Sequence, residues 1–404
     1  MCRIVTRLVG GPPSAYSVPL LWIHVLLDIE KLVYGGDGLA RPEGHVALVP
    51  FVLPQEQVEA EVARAKNDLL RGRVVEVVSP SSHRVAPPCP YYYRCGGCQY
   101  QHADYAYQLE QKQSILTEVL RRIGKIELDV EIEVAAAEPW GYRNRTQLHV
   151  EDGAIGYFEH NSHALCPIDR CPISSPRLNE VIGELSKALP RLPRFTAELE
   201  LFTNETQVQF LPSERIPGPV RTLLDSLGTS GSIEYGGFRV SRNSFFQVNR
   251  FLIDRLVEAA TRGASGDSAL DLYAGVGLFS RTLAPRFVRV AAVEAGASAT
   301  RDLQFNVPEV TAVHDTAEQF LAALHETPDF VLADPPRAGL GKQVVKELIR
   351  LSPPRIHIVS CDPATLARDL RALLAAEYRI HSAVMIDLFP QTAHLETVVE
   401  CVRP

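Results

Sequence analysis

Cys361 stands between an apolar run, Ile356-His357-Ile358-Val359, and Pro363, which opens a stretch with Leu366, Leu370, Leu373 and Leu374 at helical spacing. That pattern predicts a strand, a turn and a helix, with the thiol at the junction. Main-chain N–H groups and the positive end of a helix dipole favour a thiolate there, lowering its pKa from an ordinary value of about 8.5. Taken alone, a cysteine in this place serves equally as a small apolar filler. Other apolar runs end in acids: Asp271 in Ser268–Ser280 (SALDLYAGVGLFS), Glu294 after Val288–Val293, Asp334 after Phe330–Ala333, and Glu396 in His394-Leu395-Glu396. Gly275 and Gly277 form a turn that lets a ligand approach the backbone, and Glu294, ending the next strand, suits ribose hydroxyls.

Elements that bring such residues together must alternate strand and helix, which predicts a doubly wound sheet with its ligands at the carboxyl ends of the strands. The fold class expected is α/β: a Rossmann-like domain over 246–404, a β-rich central domain over 81–245, and a small β-barrel over 25–80. The barrel is read from short β patterns and glycine turns between Asp28 and Pro80. Residues 1–24 are read as an unassigned extension, whose apolar patch Val18–Leu27 is too short to span a bilayer.

Cys89, Cys95 and Cys98, spaced x5 and x2 around Gly96-Gly97, form the second chemical constellation. Eight cysteines without an export signal favour metal or reactive thiols over disulfides. The asymmetric spacing suits an iron–sulfur cluster with a distant fourth thiolate better than zinc. Tyr105–Gly124 reads as a helix, Glu198–Phe202 and Gln207–Leu211 as a hairpin, and Arg143 and Arg145 as neighbours on one face of a strand, suited either to solvent or to RNA phosphate. The net charge of −7, with 22% charged and 46% hydrophobic residues over 404 positions, argues against broad electrostatic binding of nucleic acid and leaves room for a local basic groove.

DLYAGVGLFS, ADPPRAGL, VSCDPATLARDL and DLFPQTAHLETV together resemble the motifs of the S-adenosylmethionine-dependent RNA uracil-5-methyltransferases, and the resemblance runs from about residue 25. It implies that Cys361 adds to uracil C6 and that Glu396 removes the C5 proton. Gln247, Tyr273, Gly275, Gly277, Glu294, Asp315 and Asp334 would bind S-adenosylmethionine or substrate. A [4Fe–4S] cluster would be held by Cys89, Cys95, Cys98 and Cys171, with Cys166 as competitor for the fourth place. Residues 25–80 resemble a TRAM domain, an RNA-binding barrel. The implied substrate is RNA, 23S ribosomal RNA before transfer RNA, and the expected protein is a cytoplasmic monomer with no membrane partner. Three departures stand out: Asp362 where many members carry Asn, Ala274 where Cys is common, and Leu278 where Asn is common. A protein that binds RNA without methylating it is the competing reading.

Overall fold

A computed structural model describes residues 22–64 and 69–403, so the expected extension 1–24 lies almost wholly outside the described residues. The chain divides into two units, the first running to Ile115 and including Gln391–Ala393, the second holding the remainder.

The first unit is built on strands β1 (Ile23–Asp28), β2 (Lys31–Leu32), β3 (Gly38–Ala40), β4 (Ala47–Val49), β5 (Gln57–Arg64) and β6 (Leu70–Ser79). They form one sheet in the order β1-β5-β6-β4-β3-β2. Alternation decides the inner face: Val58, Ala60 and Val62 are buried while Gln57, Glu59 and Glu61 between them are half-buried. Leu27 and Val58, on neighbouring strands β1 and β5 at one end of the pairing order, pack in one core with Ala40 and Val49 of β3 and β4 toward the other end. A sheet whose distant strands bury one another is curled on itself as a small barrel is. Buried Glu56 then ties down the chain that leaves the sheet, accepting from Leu53 N at 2.7 Å, Ser81 N at 3.1 Å and Arg84 Nε at 2.5 Å.

Helix α1 (Tyr105–Val119) leads to the second unit, whose strand β7 (Ile132–Ala135) comes first. Strands β8 (Arg145–Glu151), β9 (Ala154–Phe158), β10 (Leu165–Pro167), β11 (Ala197–Thr203) and β12 (Val208–Pro212) make an antiparallel sheet in the order β10-β9-β8-β11-β12. Helices α2 (Pro176–Ala188) and α3 (Gly218–Leu227) and the hairpin β13 (Ile233–Tyr235) and β14 (Phe238–Val240) complete this region.

After α4 (Ile253–Ala260) comes the larger sheet, with β15 (Gly266–Leu272), β16 (Phe287–Glu294), β17 (Thr311–His314), β18 (Phe330–Ala333), β19 (Arg355–Ser360), β20 (Arg379–Ile386) and β21 (Glu396–Val402). Its order is β17-β16-β15-β18-β19-β21-β20-β7. The first five of these strands run parallel, and β21 lies antiparallel between β19 and β20. Helices α5 (Ser280–Leu283), α6 (Ala297–Asn306), α7 (Ala317–Ala323), α8 (Gly341–Leu351) and α9 (Pro363–Leu374) connect the strands. Helices on both faces explain why β18 is buried at every position, as a central strand of such a sheet must be. The chain winds outward from β15 to β17 and returns to β18 on the other side of β15. That reversal opens a crevice over the carboxyl ends of β15 and β18.

Two observations differ from the expected pattern. Strand β7, within the span read as the central domain, pairs parallel with Ala383–Ile386 and closes the far side of the larger sheet, where β20 would otherwise leave unpaired backbone groups. Arg145 is buried rather than turned to RNA: it donates to Ser244 O at 2.9 Å and to Glu200 at 2.6 Å and sits over the Phe202 ring.

Candidate functional site

The crevice is lined first by the turn that follows β15. Tyr273, Gly275 and Gly277 all have positive φ, at 63°, 56° and 95°. The two glycines are there for different reasons. A Cβ on Gly277 would come within 2.8 Å of Leu303 and 2.9 Å of Val307, so helix α6 packs against it; a Cβ on Gly275 would meet nothing within 4 Å. Gly275 therefore leaves backbone open to a ligand. Its N–H donates to Glu294 Oε2 at 2.9 Å, while Glu294 Oε1 accepts from Gly296 N at 2.6 Å, which fixes the carboxylate at the end of β16. Asp315, just after β17, donates its N–H to Glu294 O at 3.2 Å and accepts from Thr316 N at 2.8 Å. An open glycine turn beside fixed carboxylates fits a nucleoside. Leu278, one of the departures, packs against an apolar cluster containing Phe246 and Val276.

Strand register assembles the reactive edge. Ser360 pairs with Thr397, so one step further along the antiparallel ladder Cys361 faces Glu396. Ala333 pairs with Ile358 on the other side of β19, which brings Asp334 to the same edge. Gln247, also buried, reaches Asp334 Oδ2 with its Nε2 at 3.4 Å. Burial raises Glu396 well above the usual carboxylate range, and the charge of Asp334 adds to this while Arg337 opposes it. Burial raises Asp334 as well. Asp271, inside β15 and bonded by Ser280, is pushed up to about 7 by burial.

Cys361 corrects one expectation. Its thiol is pushed up to about 11, chiefly by burial and then by the charges of Glu396 and Asp334, which outweigh Arg337. The helix that follows does not lower it, because desolvation and two neighbouring carboxyls act over shorter distances than the dipole. The Asp362 carboxylate caps α9, accepting from Ala364 N and Thr365 N at 2.9 Å each. An aspartate in this position does the capping work of an asparagine.

Sequence reasoning missed two buried acids that hold the edge together. Asp302 of α6 accepts from Arg239 Nε, Ser241 N, Ser241 Oγ and Ser244 Oγ, each at 2.7 Å, which fixes the segment leading to Gln247. Asp369 of α9 accepts from Leu340 N at 2.8 Å, and Arg368 Nη2 donates to Ala338 O at 2.8 Å, so the helix after Cys361 also grips the loop carrying Arg337. Only the three-dimensional packing distinguishes either from an ordinary helical acid.

The cysteines of the second constellation are distributed over both units, with Cys89, Cys95 and Cys98 in the first and Cys171 in the second. Cys95 Sγ accepts from Gly97 N at 3.4 Å, and Cys98 is buried. Cys171 lies in a turn held by Asn179, whose Oδ1 accepts from Cys171 N at 2.7 Å. Among the described residues no group of three or more His, Cys, Asp or Glu side chains is disposed to hold a metal ion. No described helix is long and apolar enough to cross a membrane.

A sheet of this strand order, with a glycine turn and paired acids at its carboxyl edge, defines a class I methyltransferase fold. Residues 234–403 match the family described as tRNA (uracil-5-)-methyltransferase, and residues 24–75 match the TRAM domain. An uncharacterized RNA methyltransferase of Aquifex aeolicus is 33% identical, over 92% of this chain and 97% of its own. One from Streptomyces avermitilis is 32% identical, over 92% and 96%. The tRNA (uracil-54, C5)-methyltransferase of Pyrococcus abyssi, solved in complex with S-adenosyl-L-homocysteine, superposes with a TM-score of 0.71 at 28% identity, over 94% of this chain and all of that one. The chain belongs to the RNA uracil-5-methyltransferase family and carries its TRAM domain.

Proposed function

We propose that the protein transfers a methyl group from S-adenosylmethionine to C5 of a uridine in RNA through a covalent bond between Cys361 and uracil C6. The observation that carries this reading is the meeting of Cys361 with Glu396 and Asp334 beside the open turn at Gly275. Gln247, Tyr273, Gly275, Gly277, Glu294, Asp315 and Asp334 are the residues proposed to hold cofactor and base. When bound, S-adenosylmethionine supplies an electrophilic methyl group on a sulfonium.

A thiol with a pKa of about 11 needs a base, and the Asp334–Glu396 pair supplies it. Mutual repulsion and burial leave the pair holding a proton near neutrality, with one member still able to accept another. Cys361 gives its proton to the pair, which passes it on to solvent as the sulfur bonds to C6; the electrons displaced from the C5–C6 bond are held as an enolate, to which Arg337 presents a positive charge. C5 takes the methyl group. Glu396 then accepts the C5 proton, the C5–C6 double bond re-forms, and the C6–S bond breaks to return the thiolate. One proton is released for each methyl transferred. Burial of the base in such a site requires that its nucleotide leave the stack.

The substrate reading favours 23S ribosomal RNA on the TRAM-like barrel and the cysteine spacing. Transfer RNA is the second reading, favoured by the full-length similarity to the Pyrococcus abyssi enzyme. The [4Fe–4S] reading of Cys89, Cys95, Cys98 and Cys171 is supported by their spacing and by the Gly97 N–H aimed at Cys95. Labelled S-adenosylmethionine, offered with unmodified ribosomal or transfer RNA to wild type and Cys361→Ala, tests the whole. The expected result is 5-methyluridine in one RNA and none with the variant; another methylated nucleoside would overturn the reading.

A further inference from the structure

In a chain of net charge −7, arginines without a carboxylate partner are informative. Several others in the second unit pair with acids: Arg145 with Glu200, Arg239 with Asp302, and Arg250 with Glu205. Arg215, Arg221 and Arg242 have no such partner among the described residues and converge on one place. All three are exposed and line one cleft of about 300 Å³ between the end of β12, helix α3 and the segment after β14. None makes an ion pair or a side-chain hydrogen bond to another described residue. Glu214 and Asp225 also border the cleft, and neither pairs with any of the three.

The cleft is rigidly built. Arg242 O accepts from Ser298 Oγ at 2.9 Å, and its neighbour Ser241 is bound twice by Asp302. On the opposite wall, Thr229 N donates to Val208 O at 2.8 Å while Phe210 N donates to Thr229 O at 2.9 Å. The cations are therefore presented from fixed backbone, which reduces the ordering cost of binding. Guanidinium groups with free donors, next to the hydroxyls of Ser213, Thr229 and Ser230, match the oxygens of phosphodiesters. Arg242 also lies on the segment that continues to Gln247, so RNA held here is held by the backbone that builds the reactive edge.

We propose that Arg215, Arg221 and Arg242 form a phosphate-binding cleft for the sugar–phosphate backbone of the RNA substrate. This rests on the proposed action on RNA. Phosphate contacts supply affinity without reading sequence, and each one lost lowers the slope of log K against log salt by about 0.7 for a single strand.

The test compares RNA binding across a salt series, by fluorescence anisotropy, for wild type, Arg215→Ala/Arg221→Ala/Arg242→Ala, and the corresponding triple Lys variant, using whichever RNA the wild type methylates. The triple Ala variant should bind at least tenfold more weakly, with a slope shallower by about 2, summed over three contacts. The Lys variant should keep the slope. Arg221→Ala alone, on an exposed helix face, should lower the slope by about 0.7 and covers the case in which the triple variant melts early. An unchanged slope in both Ala variants, with wild type active, would overturn the cleft. A wild type that neither binds nor methylates RNA would overturn the functional reading and the cleft with it.

Discussion

Two sets of buried acids in the second unit, Asp302 on one side and Asp334 with Glu396 on the other, are treated in opposite ways. Asp302 accepts four short hydrogen bonds from the segment Arg239–Ser244. Asp334 receives one long bond from Gln247, and no side chain among the described residues donates to Glu396. A buried carboxylate surrounded by donors is stable as an anion and is a structural joint. A pair left with few donors retains a proton and is ready to exchange it. The same residue type is thus a strut in one place and a reagent in the other, and donor count separates the two.

The largest expected effect falls on the reagents. Glu396→Gln should lower turnover by about a hundredfold to ten-thousandfold, the usual contribution of a positioned base. The same change should speed alkylation of Cys361 at a given pH, because the Glu396 charge helps to raise the thiol. Slower turnover with slower alkylation would mean a damaged fold. The strut should respond in stability instead. Asp302→Ala strands Arg239 and three further donors and should cost about 3 kcal/mol in denaturant unfolding, with little change in the pH dependence of thiol alkylation.

A pH series sharpens the contrast. With the thiol at about 11, roughly one Cys361 in ten thousand is ionised at pH 7 in the free protein, so iodoacetamide labelling should rise about tenfold per pH unit until that value. A plateau near pH 8.5 would show that the helix dipole dominates after all. Asp334→Asn removes a charge that raises Glu396, so the acidic limb of the turnover profile, where the base becomes protonated, should move to lower pH. The smallest effect belongs to Asp362→Asn: the cap on Ala364 N and Thr365 N survives, and stability should change by less than about 0.5 kcal/mol.

Much of this arrangement was legible in the sequence because doubly wound sheets place strand ends together. Asp271, Glu294, Asp334 and Cys361 end or follow apolar runs, and the sheet needs only its topology to gather the last three at one edge. The dispersed partners were not legible. Strand β7 is an unremarkable apolar run until β20 offers it an edge. Arg145 alternates like a solvent residue and is buried because Glu200 and Ser244 accept its donors. The direction of the Cys361 shift depended on desolvation and on charges from two other strands, neither of which local sequence contains. Three closely spaced cysteines suggested a ligand set, but spacing cannot report where a fourth thiolate in another unit lies. Anaerobic iron–sulfide reconstitution checks that expectation: broad visible absorbance lost in Cys95→Ser would support a cluster there.

The central claim is that Cys361 bonds to uracil and Glu396 sets it free. Glu396→Gln, incubated with labelled RNA and S-adenosylmethionine and run on a denaturing gel, tests it most directly. With Asp334 still present to take the thiol proton, methyl transfer can proceed in this variant while removal of the C5 proton cannot, so protein and RNA should accumulate as one covalent species, absent when Cys361 is also replaced by Ala. Formation of 5-methyluridine by a protein lacking Cys361, with no covalent species in either variant, would contradict the account.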